Sequence, residues 1–477
     1  MIDMTRKLYS LFFLPLALLA ASVFTSCISD EFTTSPSATL SFSTDTVTFD
    51  TVFTDLGTPT ARLKVFNRSK KGVSISSIKF KNPESIFSLN VDGVSGKEFS
   101  DVEIRGGDSI FVFIECFIDP TESNQPFLVE DKLEFITNTV RQEVQVEAYG
   151  QNVTRLKALT LDADMTLDDA RPIVVFDSLV VPQGKTLTIN PGTKLLFHDK
   201  AELIIRGKLS AIGAPGKMID MRGDRIDNVL PDVGYDILAG QWKGIRIAPE
   251  SFGNRMEYVD MRSTSDGLRL DSCADLSQTK LTLVNSWLHN SQSSVLTSIH
   301  ARVDAFGVCF SEAANAVVNL TGGVHNFVQC TIANYYLFAA ITQPLLTLNH
   351  VSQDDLALNP DNPLMSLNLS NSIVYGLGTD LNIGNLNDTD VWLRNVLLKS
   401  NGDNDDHFID CIWGEDPLFK TIRSDYYFNY RLENDSPAIG KGNPALLTPE
   451  CMTDMDGINR LDNGNPTLGA YAMPPEQ

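Results

Sequence analysis

The chain has 477 residues, a formal net charge of -22 and a hydrophobic share of 43%. That share supports an extended core and excludes wholesale disorder. The acidic balance, with no basic stripe interleaved with aromatics, excludes nucleic acid as a partner and disfavours an acidic polysaccharide unless calcium bridges the two.

The N-terminus has the order of a secretory signal. Arg6-Lys7 precedes an apolar core from Leu8 through Phe24, and small residues close the segment as Thr25-Ser26-Cys27. A cysteine at this place is the hallmark of a lipoprotein signal: residues 1–26 are removed, and the Cys27 thiol takes a diacylglycerol by thioether. Each buried methylene contributes about 0.8 kcal/mol, so several acyl chains together anchor stably. Pro15 interrupts the apolar core and a polar stretch follows, which argues against a retained membrane helix. No later segment is long and apolar enough to span a bilayer, so the lipid is the expected link to the outer membrane. Ile28-Ser29-Asp30-Glu31 resembles the acidic export signal of surface lipoproteins in the Bacteroidota. The resemblance implies cell-surface exposure, with the periplasmic face as the alternative. Residues 27–35 are expected to form a tether, part of a Ser/Thr-rich run to about Ser41 that is too polar to fold by itself.

Residues 36–152 read as short strands between turn signals. Val47-Thr48-Phe49, Leu63-Lys64-Val65-Phe66 and Phe87-Ser88-Leu89-Asn90-Val91 alternate as half-buried strands do. An apolar strand from Ile110 through Phe117 follows Gly106-Gly107, and Leu133–Ile136 and Val140–Val146 close the set. About seven strands at this spacing, with no helical period, describe a β-sandwich. The order Val65-x-Asn67, polar turn, Val73-x-Ile75-x-x-Ile78 resembles the immunoglobulin-like modules that precede large repeats in bacterial surface proteins. A spacer is the role expected for it.

From 155 to 477 the pattern changes to short strands broken by Gly, Pro and Asn. One motif recurs: Leu281-x-Leu283-x-Asn285-Ser286, Leu367-x-Leu369-x-Asn371-Ser372, and Val391-x-Leu393-x-Asn395. Clear copies lie roughly 20 to 25 residues apart, the range for one coil of a parallel β-solenoid. Alternating Leu, Ile and Val then point inward and stack on neighbouring coils, and the repeated Asn is expected to form an amide ladder. Gly184 to Gly213, Trp242-Lys243-Gly244-Ile245, Asp435-Ser436-Pro437-Ala438-Ile439-Gly440, and Asp454-x-Asp456-Gly457-x-x-Arg460 with Leu468-Gly469-Ala470-Tyr471 resemble coils and closing signatures of the pectin-lyase-like superfamily. The resemblance implies an all-β chain: an immunoglobulin-like β-sandwich followed by a right-handed parallel β-helix. It implies a fold and not a reaction, because lyases, glycosidases and adhesins share it.

Chemistry is harder to place. Cys116, Cys273, Cys309, Cys330, Cys411 and Cys451 are scattered, several in apolar runs, and read as buried free thiols without a metal-ligand spacing. The densest mix of charge is Asp220, Arg222, Asp224, Arg225 and Asp227, which fits a surface ion-pair network better than a lyase site. Asp403, Asp405, Asp406 and Asp410 suit a solvated loop, while Asp454 and Asp456 suit turn formers. No catalytic or metal-binding set stands out, and calcium is the sole cofactor these acidic groups would admit. Trp287, Tyr335-Tyr336, Trp392, Trp413 and Tyr426-Tyr427 are candidates either for stacking on sugar rings or for packing. The expected function is therefore non-catalytic glycan or glycoconjugate binding, or adhesion, at the cell envelope. A polysaccharide lyase or glycoside hydrolase is the rival, and a structural envelope component the third option.

Overall fold

The computed structural model describes residues 31–474, except 57–59, 231–232, 351–363, 388 and 425. The leader, Cys27 and the acidic stretch up to Asp30 lie outside the described residues. Among the described residues no helix is long and apolar enough to cross a membrane. The chain is all-β and forms two compact units. One holds the described residues up to Thr121 with Pro126–Gln151, the other Glu122–Gln125 with the residues from Asn152 on.

The first unit is a β-sandwich. Its strands are β1 (Leu40–Phe42), β2 (Thr46–Phe53), β3 (Ala61–Asn67), β4 (Val73–Phe80), β5 (Phe87–Val91) and β6 (Val94–Gly96). There follow β7 (Glu98–Phe99), β8 (Val102–Ile104), β9 (Ser109–Cys116), β10 (Phe127–Thr137) and β11 (Val140–Gln151). One sheet runs β1-β3-β9-β5-β6 and the other β2-β11-β10-β4-β7, with β8 also on β4. The two-residue period puts Leu63, Val65, Val112 and Ile114 of the first sheet against Ile75, Ile78, Leu133 and Val144 of the second, all fully buried.

The far end of the expected tether is docked on this unit. Gly72 N–H donates to Glu31 O at 2.9 Å, and Thr33 N–H donates to Gly72 O at 2.8 Å. A Cβ on Gly72 would stand 2.9 Å from the Phe32 ring, so any larger residue there would have to displace that ring. One aromatic among Ser and Thr carries no periodic signal, which is why composition suggested a free run here.

The second unit is a parallel β-helix with three stacked sheets. Sheet I stacks Gly244–Ile247, Leu268–Leu270, Leu296–Ile299, Val318–Thr321 and Leu346–Asn349. Sheet II stacks Asn254–Glu257, Leu281–Val284, Arg302–Phe306, Gly323–Val328 and the start of Met365–Gly376. Sheet III stacks Ile219–Gly223, Val259–Thr264, Trp287–Ser291, Cys309–Ala313, Thr331–Asn334 and the end of Met365–Gly376. Inward residues form columns such as Met261, Leu288, Phe310, Ile332 and Val374. Each such side chain contributes roughly 1.5–3 kcal/mol by leaving water. Trp242 of the Trp-x-Gly-Ile segment is inside the core, its ring 3.9 Å from that of Phe197 at 6°.

The recurrent Asn does something other than build a ladder. Asn285, Asn371 and Asn395 sit at the bend between sheets II and III with φ of 42°, 48° and 53°. Tyr258, Gly307 and Gln329 take the same left-handed conformation at this bend. Asn285 donates to Tyr258 Oη, Asn371 to Asn443 O and Asn395 to Lys441 O, so these amides do not bond one another. Asn recurs because it tolerates the left-handed region. Amide pairs exist on the outer surface instead, Asn368 to Asn326 at 2.8 Å and Asn349 to Asn319 at 2.9 Å.

One of the inward columns holds a histidine: Leu281, Val303, His325, Leu367. His325 Nε2 donates to Gly322 O at 2.8 Å, and burial pushes its pKa down to about 4 against that bond. The unfolded chain takes up the proton below its usual value of about 6.5. The folded state does not until about 4, so stability falls across that window by about 3 kcal/mol. The variant His325→Leu lacks this slope. Urea denaturation of both proteins across that range should show wild type losing that amount of stability relative to the variant as pH falls; a constant difference would refute the assignment.

Candidate functional site

Sheet III presents its outward residues in two adjacent columns. Asp220, Asp260, Trp287 and Cys309 form one by register, and Arg262, His289 and Ser311 the other. A parallel sheet without register slip places equivalent side chains directly over one another, so four chemically active groups converge on one patch. Trp287 stacks on His289 with ring centroids 4.1 Å apart, and its Nε1 donates to Ser311 Oγ at 2.8 Å.

Arg262 is the hub. It contacts Asp260 Oδ2 at 2.8 Å, Asp220 Oδ1 at 2.7 Å and Asp236 Oδ2 at 3.0 Å. Arg222 also reaches Asp236, at 2.8 Å. His289 Nε2 lies 3.0 Å from Asp260 Oδ1. Burial works to raise the pKa of Asp260, but Arg262 and His289 outweigh it and hold the group at about 2. Burial is likewise overcome at Asp236 by Arg262 and Arg222, so its pKa is lowered. Both carboxylates are ionised at neutral pH.

Asp236 comes from an excursion between Ile219–Gly223 and Gly244–Ile247. Its short 3-10 turn, Tyr235–Ile237, is pinned over the sheet. Ser263 Oγ donates to Asp236 O at 2.6 Å, and Asn290 Nδ2 donates to Asp236 O and Ile237 O at 2.9 and 2.8 Å. Behind the patch lies Glu312, with φ of 49° and a side chain only 3% exposed. One of its oxygens accepts from Tyr430 Oη, and the other has no partner among the described residues. Burial raises its pKa to about 6 although His289, Ser311 and Tyr430 oppose this.

The C-terminal segment supplies a wall. Strands Phe419–Ser424 and Tyr427–Leu432 pair antiparallel, and Arg423 donates to Tyr335 O at 2.7 Å and to Tyr336 O. Arg431 grips Asp456 through two bonds of 2.7 and 2.6 Å. Asp454 accepts from the N–H groups of Asp456, Ile458 and Ala472, each at 2.9 Å. Buried Arg460 donates to Cys451 O, Gly469 O and Ala470 O. The closing motif thus clamps the tail. Together these elements enclose a cavity of about 320 Å³, lined by Asp236, Asp260, Arg262, Trp287, His289, Glu312, Tyr336, Phe338, Tyr426 and Tyr427.

None of the five sequence candidates lines this cavity. Asp220 and Arg222 support it from the side through Arg262 and Asp236. Asp224 binds His198 at 2.7 Å, and Arg225 holds Asp227 through two 2.6 Å bonds while its guanidinium covers the Tyr235 ring at 3.9 Å. Asp224, Arg225 and Tyr235 line a separate space of about 370 Å³. Asp405 caps its own loop, accepting from His407 and Phe408 N–H, and Asp403, Asp406 and Asp410 are exposed. Among the described residues no three His, Cys, Asp or Glu side chains are grouped to hold a metal. The six described cysteines are buried. Of the aromatic candidates, Trp287, Tyr336, Tyr426 and Tyr427 reach the cavity, whereas Trp392 and Trp413 lie elsewhere and Tyr335 is buried against Tyr430. Asp260, Arg262, His289 and Glu312 were missed. A signal existed for two: the residue after Asn285-Ser286 starts an outward column, and stepping back 27 residues from Trp287 and His289 gives Asp260 and Arg262.

No family model and no curated protein matches the chain. Among solved structures it is similar to a protein of unknown function from Porphyromonas gingivalis W83, at 12% identity with a TM-score of 0.19. The match covers 26% of this chain and 60% of that one, too little to carry an argument.

The state of Glu312 has a measurable consequence. Its folded pKa is raised, so the folded state holds the proton up to about 6 while the unfolded chain releases it near 4.5. Stability therefore falls as pH rises through that window, by about 2 kcal/mol. Glu312→Gln stays neutral and keeps an acceptor for Tyr430. Thermal denaturation should show it about equal to wild type below pH 4.5 and more stable above pH 6; equal stability throughout would mean that Glu312 ionises freely.

Proposed function

We propose that the sheet III cavity binds a glycan, in a lipid-anchored envelope protein whose β-helix is of the right-handed, pectin-lyase-like kind. The observation that carries this is the convergence of Trp287, Tyr336, Tyr426 and Tyr427 with ionised Asp236 and Asp260 in one cavity. Aromatic faces take the apolar C–H face of a sugar ring, and fixed carboxylates accept from its hydroxyls. With three carboxylates feeding on two guanidiniums, the described residues of the site leave no guanidinium unpaired for a uronate. A neutral saccharide suits it better. The expected Cys27 anchor, to the cell surface or the periplasmic face, supports that role at the outer membrane.

One observation also favours glycoside hydrolysis. Glu312 and Asp260 have their pKa values driven to about 6 and about 2 in the same cavity, so below about pH 6 the first holds a proton to give while the second stays ionised. The free oxygen of Glu312 is the proton-donating position.

Residues 28–477 titrated calorimetrically with neutral and uronic oligosaccharides should bind the neutral class. Tyr427, 58% exposed, can be removed without disturbing a core. Tyr427→Ala should weaken binding about fivefold to tenfold; unchanged affinity would place the ligand elsewhere. Mass spectrometry of the same mixtures separates the two roles. Shortened products that vanish in Glu312→Gln, with binding retained, establish hydrolysis, and an unaltered panel leaves binding alone.

A further inference from the structure

The outer face of the β1-β3-β9-β5-β6 sheet carries chemistry unlike the rest of this acidic chain. On β3 the alternate residues Arg62, Lys64 and Phe66 point outward, and their β9 neighbours Phe113 and Phe111 do the same. The side chains form a continuous ladder. Arg68 lies over the Phe66 ring at 4.3 Å, Lys64 over Phe66 at 5.1 Å and over Phe111 at 5.4 Å, and Arg62 over Phe111 at 5.7 Å. Phe111 and Phe113 stack at 6.1 Å, and Phe111 is 41% exposed. Glu115, at the far end of β9, is the acidic residue on these two strands' outer side. By contrast, the outer side of β10 and β11 carries Glu130, Glu134, Glu143 and Glu147 around Lys132 and Arg141.

The ladder ends in a rigid cationic turn. Buried Asn67 donates to Lys71 O, Ile104 O and Arg105 O and accepts from Ser69 N–H, which leaves Arg68, Lys70 and Lys71 projecting outward. The N-terminal end of the described chain is fastened to this same turn, through Glu31 and Thr33 on Gly72 and through the Lys71–Glu31 ion pair at 2.7 Å. Position 27 is four residues before Glu31, a reach of at most about 14 Å. An acyl chain on Cys27 would therefore lie within that reach of the turn that carries Arg68 and Lys70.

We propose that this turn and the adjoining Phe66–Phe111 ladder form a contact surface for an anionic lipid bilayer, the cations meeting headgroup phosphates and the phenyl rings entering the interface. Basic residues near a charged surface contribute about 1 kcal/mol each, and exposed aromatics flanked by basic residues settle at the headgroup level. The lipid tethers the chain and the basic patch then holds this face of the sandwich against the bilayer. The proposal is independent of what the sheet III cavity binds.

The test uses residues 28–477, which retain every described residue but cannot be acylated at position 27. Cosedimentation with phosphatidylglycerol-containing vesicles should show binding that salt weakens, with little binding to phosphatidylcholine alone. Lys64→Glu/Arg68→Glu/Lys70→Glu should lower that binding about a hundredfold or more, and Phe111→Ser several-fold, with circular dichroism unchanged. Lys194→Glu/Lys200→Glu/Lys217→Glu, which changes net charge equally on the β-helix, should bind nearly as wild type. Equal loss in both triple variants, equal binding to neutral vesicles, or capture of a soluble acidic polysaccharide in place of the vesicles would overturn the proposal.

Discussion

The register of sheet III governs everything that this chain can do at its cavity. A single left-handed residue turns sheet II into sheet III at Tyr258, Asn285, Gly307, Gln329, Asn371 and Asn395. Because the bend always takes one residue, the next residue always points inward and the one after it begins an outward column. Slipping one coil by one position would send Trp287 and His289 into the core and bring Leu288 out. The functional surface and the hydrophobic core are thus specified by one constraint, and a side chain that tolerates positive φ is its main requirement.

Within that frame, charge is distributed unequally on purpose-built geometry. Arg262 and Arg222 neutralise three carboxylates of the patch, which keeps Asp236 and Asp260 ionised despite burial. Glu312 is paired with no guanidinium among the described residues and sits among Tyr430, Ser311 and apolar coil, with His289 opposing its burial only in part. Desolvation then wins at Glu312 and loses at Asp260, two carboxyl groups of the same cavity. The Arg262 carbonyl also accepts from Trp242 Nε1 at 2.7 Å, so the buried indole steadies the strand that carries the hub.

The tail completes the site. The outer face of a β-helix is a bare sheet, and a concave space needs walls. Here the wall is the chain's own C-terminal hairpin, fixed by the Arg431–Asp456 pair and by Asp454 and Arg460, none of which touches the cavity. Fully buried Arg460 spends its guanidinium entirely on carbonyls and on Gln329, so its role is to hold the tail.

The sequence by itself determined the two β architectures, because alternation with period two and a repeat of Leu-x-Leu-x-Asn are local patterns that any stable fold of this chain must satisfy. It also named Trp287, Tyr336, Tyr426 and Tyr427 as aromatics able to meet a sugar, without distinguishing them from Trp392 and Trp413. The tertiary structure alone decided which of these share a cavity, since Trp287 and Tyr427 are 140 positions apart and meet through the returning tail. It alone separated Asp220 and Arg222 from Asp224, Arg225 and Asp227, neighbours in sequence that the end of one strand sends to different places. Periodicity reports which way a side chain points, but only the stacking of distant coils reports what it points at.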